Sequence, residues 1–186
     1  MKTRILIAGI LATGAALQAQ SVFFANSVAY TTTPTATVIG PDGTGVGPDF
    51  LAELYLIGPG QSLIPIGQPI PFKTGAKRGL FFDPKPRVTP LAAGALGTFE
   101  VGAWNASSGP TLGQAQTTPG GVWGLSAPVT IFVGNDADPN VPVPGLSGLQ
   151  SFTVSVCHGI CPEPSTFALG ALGLGALLLR RRRRSP

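Results

Sequence analysis

Few residues in this chain have the type and spacing to do chemistry, and they gather near its C-terminal third. Asp136-Ala137-Asp138-Pro139-Asn140 places oxygen ligands at positions 1, 3 and 5, as a calcium loop begins. The pattern then breaks, because position 6 is Val141 rather than Gly and position 12 is Ser147 rather than Glu. The stretch reads as an Asx-turn loop. No metal site is assigned, and Asp136, Asp138 and Asn140 stand as a partial calcium pattern only.

Cys157 and Cys161 flank His158-Gly159-Ile160. Two cysteines in an oxidising exported compartment pair. On a straight strand four positions span roughly 13 Å, so a disulfide between Cys157 and Cys161 requires the chain to turn at His158-Gly159. Free or intermolecular thiols and a metal site are the alternatives. A metal is cramped by three ligands at this spacing, and the order is wrong for haem attachment.

His158 is the single histidine, so any Ser-His-Asp or Cys-His catalysis would have to use it. No nucleophile elbow, zinc-protease, Walker or dinucleotide fingerprint occurs. Paired carboxylates could hydrolyse glycosides, but nothing selects a pair. No catalytic residue and no cofactor is assigned, and the expectation is a protein that is not an enzyme. Trp104 and Trp123 could stack on sugar rings, although tryptophans among small residues usually fill a core. Asn105-Ala106-Ser107 has the form of a glycosylation sequon.

Charge excludes one large class of partner. Of 12 basic residues in 186, Lys2, Arg4 and Arg180 to Arg184 sit at the chain ends. Residues 20–161 keep Lys73, Lys77, Arg78, Lys85 and Arg87 against Asp42, Asp49, Glu53, Asp83, Glu100, Asp136 and Asp138. That acidic balance cannot neutralise the several phosphates a nucleic acid presents. Charged residues are only 11% of the chain, which argues against a soluble helical bundle, and the 26 glycines show no collagen period.

The elements that must position these residues are strands. Phe50, Ala52, Leu54 and Leu56 alternate with Leu51, Glu53, Tyr55 and Ile57; 99–104 and 151–156 show the same period of two. Segments 22–30, 35–39 and 129–133 read as further strands, with weaker ones at 70–73, 80–82 and 87–89. Turn clusters such as Gly40-Pro41-Asp42-Gly43 separate them. The stretches 105–121 and 134–148 read as surface loops, and sustained helix is expected only at the two ends. The fold class is therefore all-β, a single β-sandwich of about seven to nine short strands over residues 20–161.

Both ends read as addresses. Residues 1–19 join Lys2 and Arg4 to an apolar run, Ile5 to Leu17, and end in Ala19 before Gln20, the plan of a cleavable signal peptide. At the other end, Pro162-Glu163-Pro164 and Ser165-Thr166 precede the apolar run 167–179, which carries Phe167, Leu169, Leu172, Leu174, Leu177, Leu178 and Leu179. As a helix its thirteen residues reach roughly 20 Å, short of the roughly 30 Å hydrocarbon core. Snorkelling arginines extend it towards a thin membrane span. The basic cluster Arg180, Arg181, Arg182, Arg183 and Arg184 belongs on the cytoplasmic side.

Segment 162–186 resembles the PEP-CTERM sorting signal, in its motif Pro162-Glu163-Pro164, its short apolar helix and its terminal arginines. The resemblance implies processing by an exosortase-type membrane enzyme in a Gram-negative bacterium that makes exopolysaccharide. It implies a protein tethered to the membrane by its C-terminus before sorting, then found at the cell surface or outside the cell. The body is expected to be a non-enzymatic surface or matrix component. A module binding exopolysaccharide through Trp104, Trp123 or the 134–148 loop is the alternative, and a glycosidase-like enzyme a third reading.

The expected mature chain starts at Gln20 and lacks the C-terminal apolar run. Mass spectrometry of the fully sorted product should find Gln20 as the first residue and no peptide from 174–179. A product that keeps Leu174–Leu179 would refute the second part.

Overall fold

The computed structural model describes residues 20–27 and 35–157, and both apolar end segments lie outside them. Among the described residues the fold is all-β, with eleven strands in three sheets and one short helix. The strands are more numerous than the alternation alone predicts, and those at 63–71 and 96–105 are longer than read. No helix among these residues is long and apolar enough to cross a membrane.

The central sheet is built on two long strands, β3 (Phe50–Ile57) and β6 (Leu96–Asn105), antiparallel over seven residue pairs from Phe50↔Asn105 to Leu56↔Phe99. β4 (Leu63–Pro71) flanks β3. On the other side of β6 lie β7 (Val122–Leu125) and β8 (Val129–Phe132), in line along it. Ser126 fills the gap between them: its backbone N–H donates to Val101 O at 2.9 Å, and its hydroxyl accepts from Val101 N at 3.0 Å.

Two small sheets close the inner face. One joins β1 (Gln20–Val22) to β5 (Arg87–Val88) and β9 (Gly134–Asn135). The other pairs β2 (Val38–Ile39) in parallel with β10 (Phe152–Thr153). Between these layers sits the main core, with Phe24, Leu54, Phe81, Phe99, Leu146 and Val154 all nearly or fully buried. Each such large side chain contributes about 1.5–3 kcal/mol on burial.

The clean alternation at 151–156 holds as a burial pattern but not as one strand. Phe152 and Thr153 pair with β2, Val154 is buried, and β11 (Ser155–Val156) pairs with β7 instead. One extended run thus ties two sheets together. Segment 80–82 forms no strand; Phe82 contributes an isolated bridge to Ala25.

The stretch 105–121 is not only loop. It contains helix α1 (Leu112–Thr117), whose first turn is capped by Thr111 Oγ1 accepting from Gln114 N at 3.3 Å. Leu112 and Ala115, three positions apart, turn inward against Tyr55 and Trp104. The capping-box pattern Thr-x-x-Gln was present in the sequence, but six residues are too few for helical periodicity to show.

Two buried polar groups join the layers. Asn26 is fully buried; its Nδ2 donates to Ala36 O (2.7 Å) and Gly79 O (2.9 Å), and its Oδ1 accepts from Phe81 N (2.8 Å). Arg87 is 5% exposed. Its Nε meets Asp83 Oδ2 at 3.0 Å, and its Nη1 and Nη2 donate to Ile66 O (2.8 Å) and Gln68 O (2.6 Å). Its guanidinium carbon lies 4.0 Å from the centre of the Phe24 ring. The two carbonyls belong to a bulge where β4 sets residues 67–69 against Glu53 alone, a geometry that Gly67 permits with φ +80°.

Replacing Arg87 with Ala should lower unfolding free energy by about 2–3 kcal/mol, because the buried Ile66 carbonyl, the part-buried Gln68 carbonyl and Asp83 lose their partner. Arg87→Lys, which keeps charge without the fork, should fall between. Urea midpoints measure both; a loss under about 1 kcal/mol in the alanine variant would show that the guanidinium does not hold the layers.

Glu100 offers a second check. Burial raises its pKa, so its carboxylate destabilises the fold once ionised. The cost begins as pH rises past the unfolded-state pKa and is complete above the folded one. Glu100→Gln should therefore raise the melting temperature at neutral pH, with the gain vanishing in acid. A gain independent of pH would contradict the electrostatic cause.

Candidate functional site

The body ends in a pinned exit. Cys157 follows β11 directly; its N–H donates to Gly121 O at 2.8 Å, and its carbonyl accepts from Gly120 N at 3.2 Å. Gly120 has φ +72°, and a side chain at Gly121 would stand 2.2 Å from Ala115 O. The turn after α1 thus depends on glycine to meet the last strand. Cys157 is buried and disulfide-bonded, and its partner lies outside the described residues. His158, Cys161, the motif Pro162–Pro164, the apolar run 167–179 and Arg180–Arg184 also lie outside them.

Trp104 is not a sugar platform. Trp104 is fully buried, with its indole N–H donating to Gly109 O at 2.9 Å. It pairs across strands with Trp123, which packs half-buried against the same cluster of Tyr55, Trp104, Leu112 and Ala115. Sugar stacking by Trp104 is thereby corrected to a core role. Asn105 caps the turn after β6: its Oδ1 accepts from Ser107 N (2.9 Å) and Ser107 Oγ (2.7 Å).

The 136–140 loop is laid out as Asx turns. Asp138 Oδ1 accepts from both Asn140 N (2.9 Å) and Asn140 Nδ2 (3.0 Å), so the Asn140 amide nitrogen faces the aspartate. Asp136 is exposed. Among the described residues no three His, Cys, Asp or Glu side chains gather where they could share a metal.

The outer face of the central sheet carries Glu53, Tyr55 and Glu100, which spacing did not select. Tyr55 lies opposite Glu100 across β3 and β6, and its hydroxyl donates to Glu53. Burial, then the bond to Glu53, drives the Tyr55 pKa upward, so the phenol stays a proton donor. Glu53 is itself 7% exposed, which makes this a satisfied polar pair beneath the surface rather than an open acid–base couple.

Sequence reasoning missed a cavity of about 350 Å³, lined among the described residues by Ser27, Lys73, Lys77, Leu80, Phe81 and Phe82. A tight turn places its lysines. Lys73 N donates to Leu80 O (2.8 Å), Leu80 N to Lys77 O (3.1 Å), and Gly75 bends the chain with φ +61°. Lys73 Nζ stands 5.8 Å from the centre of the Phe82 ring. The signal was available, since Lys73 and Lys77 flank the Thr74-Gly75 turn pair, but the aromatic walls come from folding.

No curated protein and no solved structure matches the chain. Residues 161–184 match the family model of the PEP-CTERM protein-sorting motif. The match starts four residues beyond Cys157, where the described body stops. It supports export and sorting to the bacterial surface by an exosortase. The PEP-CTERM sorting motif thus stands at the C-terminal end of the chain, and the match does not extend into the described body.

Proposed function

We propose that the protein is a non-enzymatic component of the cell surface or extracellular matrix of a Gram-negative bacterium. Its all-β body, read as a β-sandwich, is the cargo, and its two ends are delivery signals. In this reading the signal peptide at 1–19 is cleaved on export. The 167–179 helix then holds the chain in the membrane with its arginines inside, until an exosortase-type enzyme acts at Pro162–Pro164. The observation that carries the reading is the sorting-motif match at 161–184.

Physical chemistry suits the motif to that task. Pro162 and Pro164 fix φ and favour extended backbone at the residues before them. Glu163 adds one carboxylate to the stiff tripeptide, beside the membrane surface. The non-enzymatic part rests on the burial of Glu53 against Tyr55 and on the use of Trp104 and Asn105 as structural groups.

A carbohydrate-binding role, with exopolysaccharide as the partner, is the second reading. The cavity beside Lys73 and Lys77 favours it, in place of Trp104.

Glu163→Ala and Pro164→Ala should leave export intact and stop the later step. In the native host, fractionation should find either variant membrane-bound with its body outward, while the parent reaches its final location. Normal release of Glu163→Ala would refute recognition of the motif.

A further inference from the structure

The last described residue of the body is one half of a covalent bond. Cys157 is disulfide-bonded, and the chain contains only one other cysteine, Cys161. Cys161 lies outside the described residues; it opens the segment that matches the sorting motif and directly precedes Pro162. A bond between the two joins the final strand of the body to the first residue of the matched segment.

Cys157 is a firm place to fasten a chain. It is 3% exposed, and both its backbone groups are bonded to the Gly120-Gly121 turn. That turn is held in its own right. Gly121 N donates to Thr118 O at 2.8 Å, Thr118 Oγ1 donates to Ser108 O at 2.8 Å, and Ser108 Oγ accepts from Val122 N at 3.1 Å. Ser155 and Val156, just before Cys157, pair with Trp123 and Val122 in the central sheet. The half of the bond that the body contributes is thus preorganised.

We propose that Cys157 and Cys161 form one disulfide, and that this small ring positions the sorting motif for the membrane enzyme. The inference rests on the sorting reading proposed above and names what the enzyme's substrate requires beyond Pro162–Pro164. Ring size decides between a stabilising and a positioning role. A crosslink restrains the unfolded chain more as its loop lengthens, and the ring 157–161 sits at the weak end of that range. It does change the exit path. Four extended steps reach roughly 13 Å, whereas disulfide-linked Cα atoms stand roughly 4–7 Å apart. The bond therefore shortens the reach of the chain before Pro162 and fixes where the motif leaves the body. Closure oxidises both thiols: their electron pair and two protons pass to a protein disulfide of the exported compartment, which is released as a dithiol. The burial of Cys157 limits attack by other thiolates on its sulfur, so the ring acts as a fixture rather than a switch.

The test begins with peptide mapping of the exported full chain without reductant. One peptide closed between Cys157 and Cys161 should appear; free thiols, or a bond between two chains, would overturn the proposal. Processing is then followed by pulse–chase in the native host. Cys161→Ser and the double variant Cys157→Ser/Cys161→Ser should be exported normally, yet convert to the sorted form about tenfold to a hundredfold more slowly, as displaced reacting groups do. A Gly-Gly insertion between Cys161 and Pro162 keeps the disulfide and moves only the motif. It should slow conversion likewise, whereas a purely stabilising bond would leave it at the parental rate. Parental rates for Cys161→Ser, or for the insertion, would overturn the proposal. Cys161→Ser leaves the buried Cys157 in place, and protease resistance checks that its body is folded. Should that body unfold, the insertion decides alone. Glu163→Ala separates the two readings. If it stalls while Cys161→Ser sorts at the parental rate, positioning fails by itself; if it too is released, the sorting reading fails.

Discussion

Everything above the level of a single sheet in this body leans on the environment of the Arg87 guanidinium. A buried positive charge is costly, and burial alone pushes the Arg87 pKa down. Asp83 opposes that shift, carbonyls at the bulge take one N–H from each of Nη1 and Nη2, and the Phe24 face covers one side of the plane. The pair sits far enough inside that neither bulk water nor salt screens it fully. Strands β5 and β9 are two residues long and could not hold a layer in place by ladder bonds alone. The guanidinium fork gives the small three-stranded sheet a fixed station on the edge of the central one. Removal of Asp83 would leave the Arg87 charge buried without its counter-ion, which is why the contact constrains more than its own residues.

The same edge is built against pairing with a second chain. β4 carries Pro65, Pro69 and Pro71 along its outer side of the sheet, and a bulge at 67–69 bends it. Proline has no N–H to offer a neighbouring strand, and a bulge breaks the flat template that aggregation needs. Charge is thus freed from that protective duty. The few cations of the body concentrate in the connection from β4 to β5, where one end anchors the fold through Arg87 and the other lines the cavity through Lys73 and Lys77. Fold and candidate site are adjacent outcomes of one fifteen-residue stretch.

How much of this was legible in the sequence depends on the range of the interaction involved. The alternation of 50–57 placed Ala52, Leu54 and Leu56 on the core face, and they are there. A period of two reports which side of a strand is buried, but it is silent about which strand lies alongside. Segment 151–156 kept its alternation while changing sheet partners at Val154. Trp104 could not be told from a surface aromatic, because what buries it is α1, a helix too short to show its period. The cavity shares that difficulty. Lys73 and Lys77 are local, but Ser27 and Phe82 reach the same place only through the Ala25↔Phe82 bridge. The sorting motif was legible for the opposite reason, since its parts are consecutive in the sequence.

That contrast bears on how delivery and folding coexist in one chain. At the end of the described body, two hydrogen bonds join Cys157 to the Gly120-Gly121 turn. Beyond them the matched segment begins at residue 161, so little chain separates the final sheet bond from the first proline of the motif. A membrane-embedded enzyme acting at Pro162–Pro164 would therefore work close against a folded body. The exit must then be firm enough not to unravel into the enzyme. The buried, disulfide-bonded Cys157 and the glycine turn that clasps it supply that firmness. Proline completes the separation from the other side, because the motif cannot extend the ladder that ends at β11.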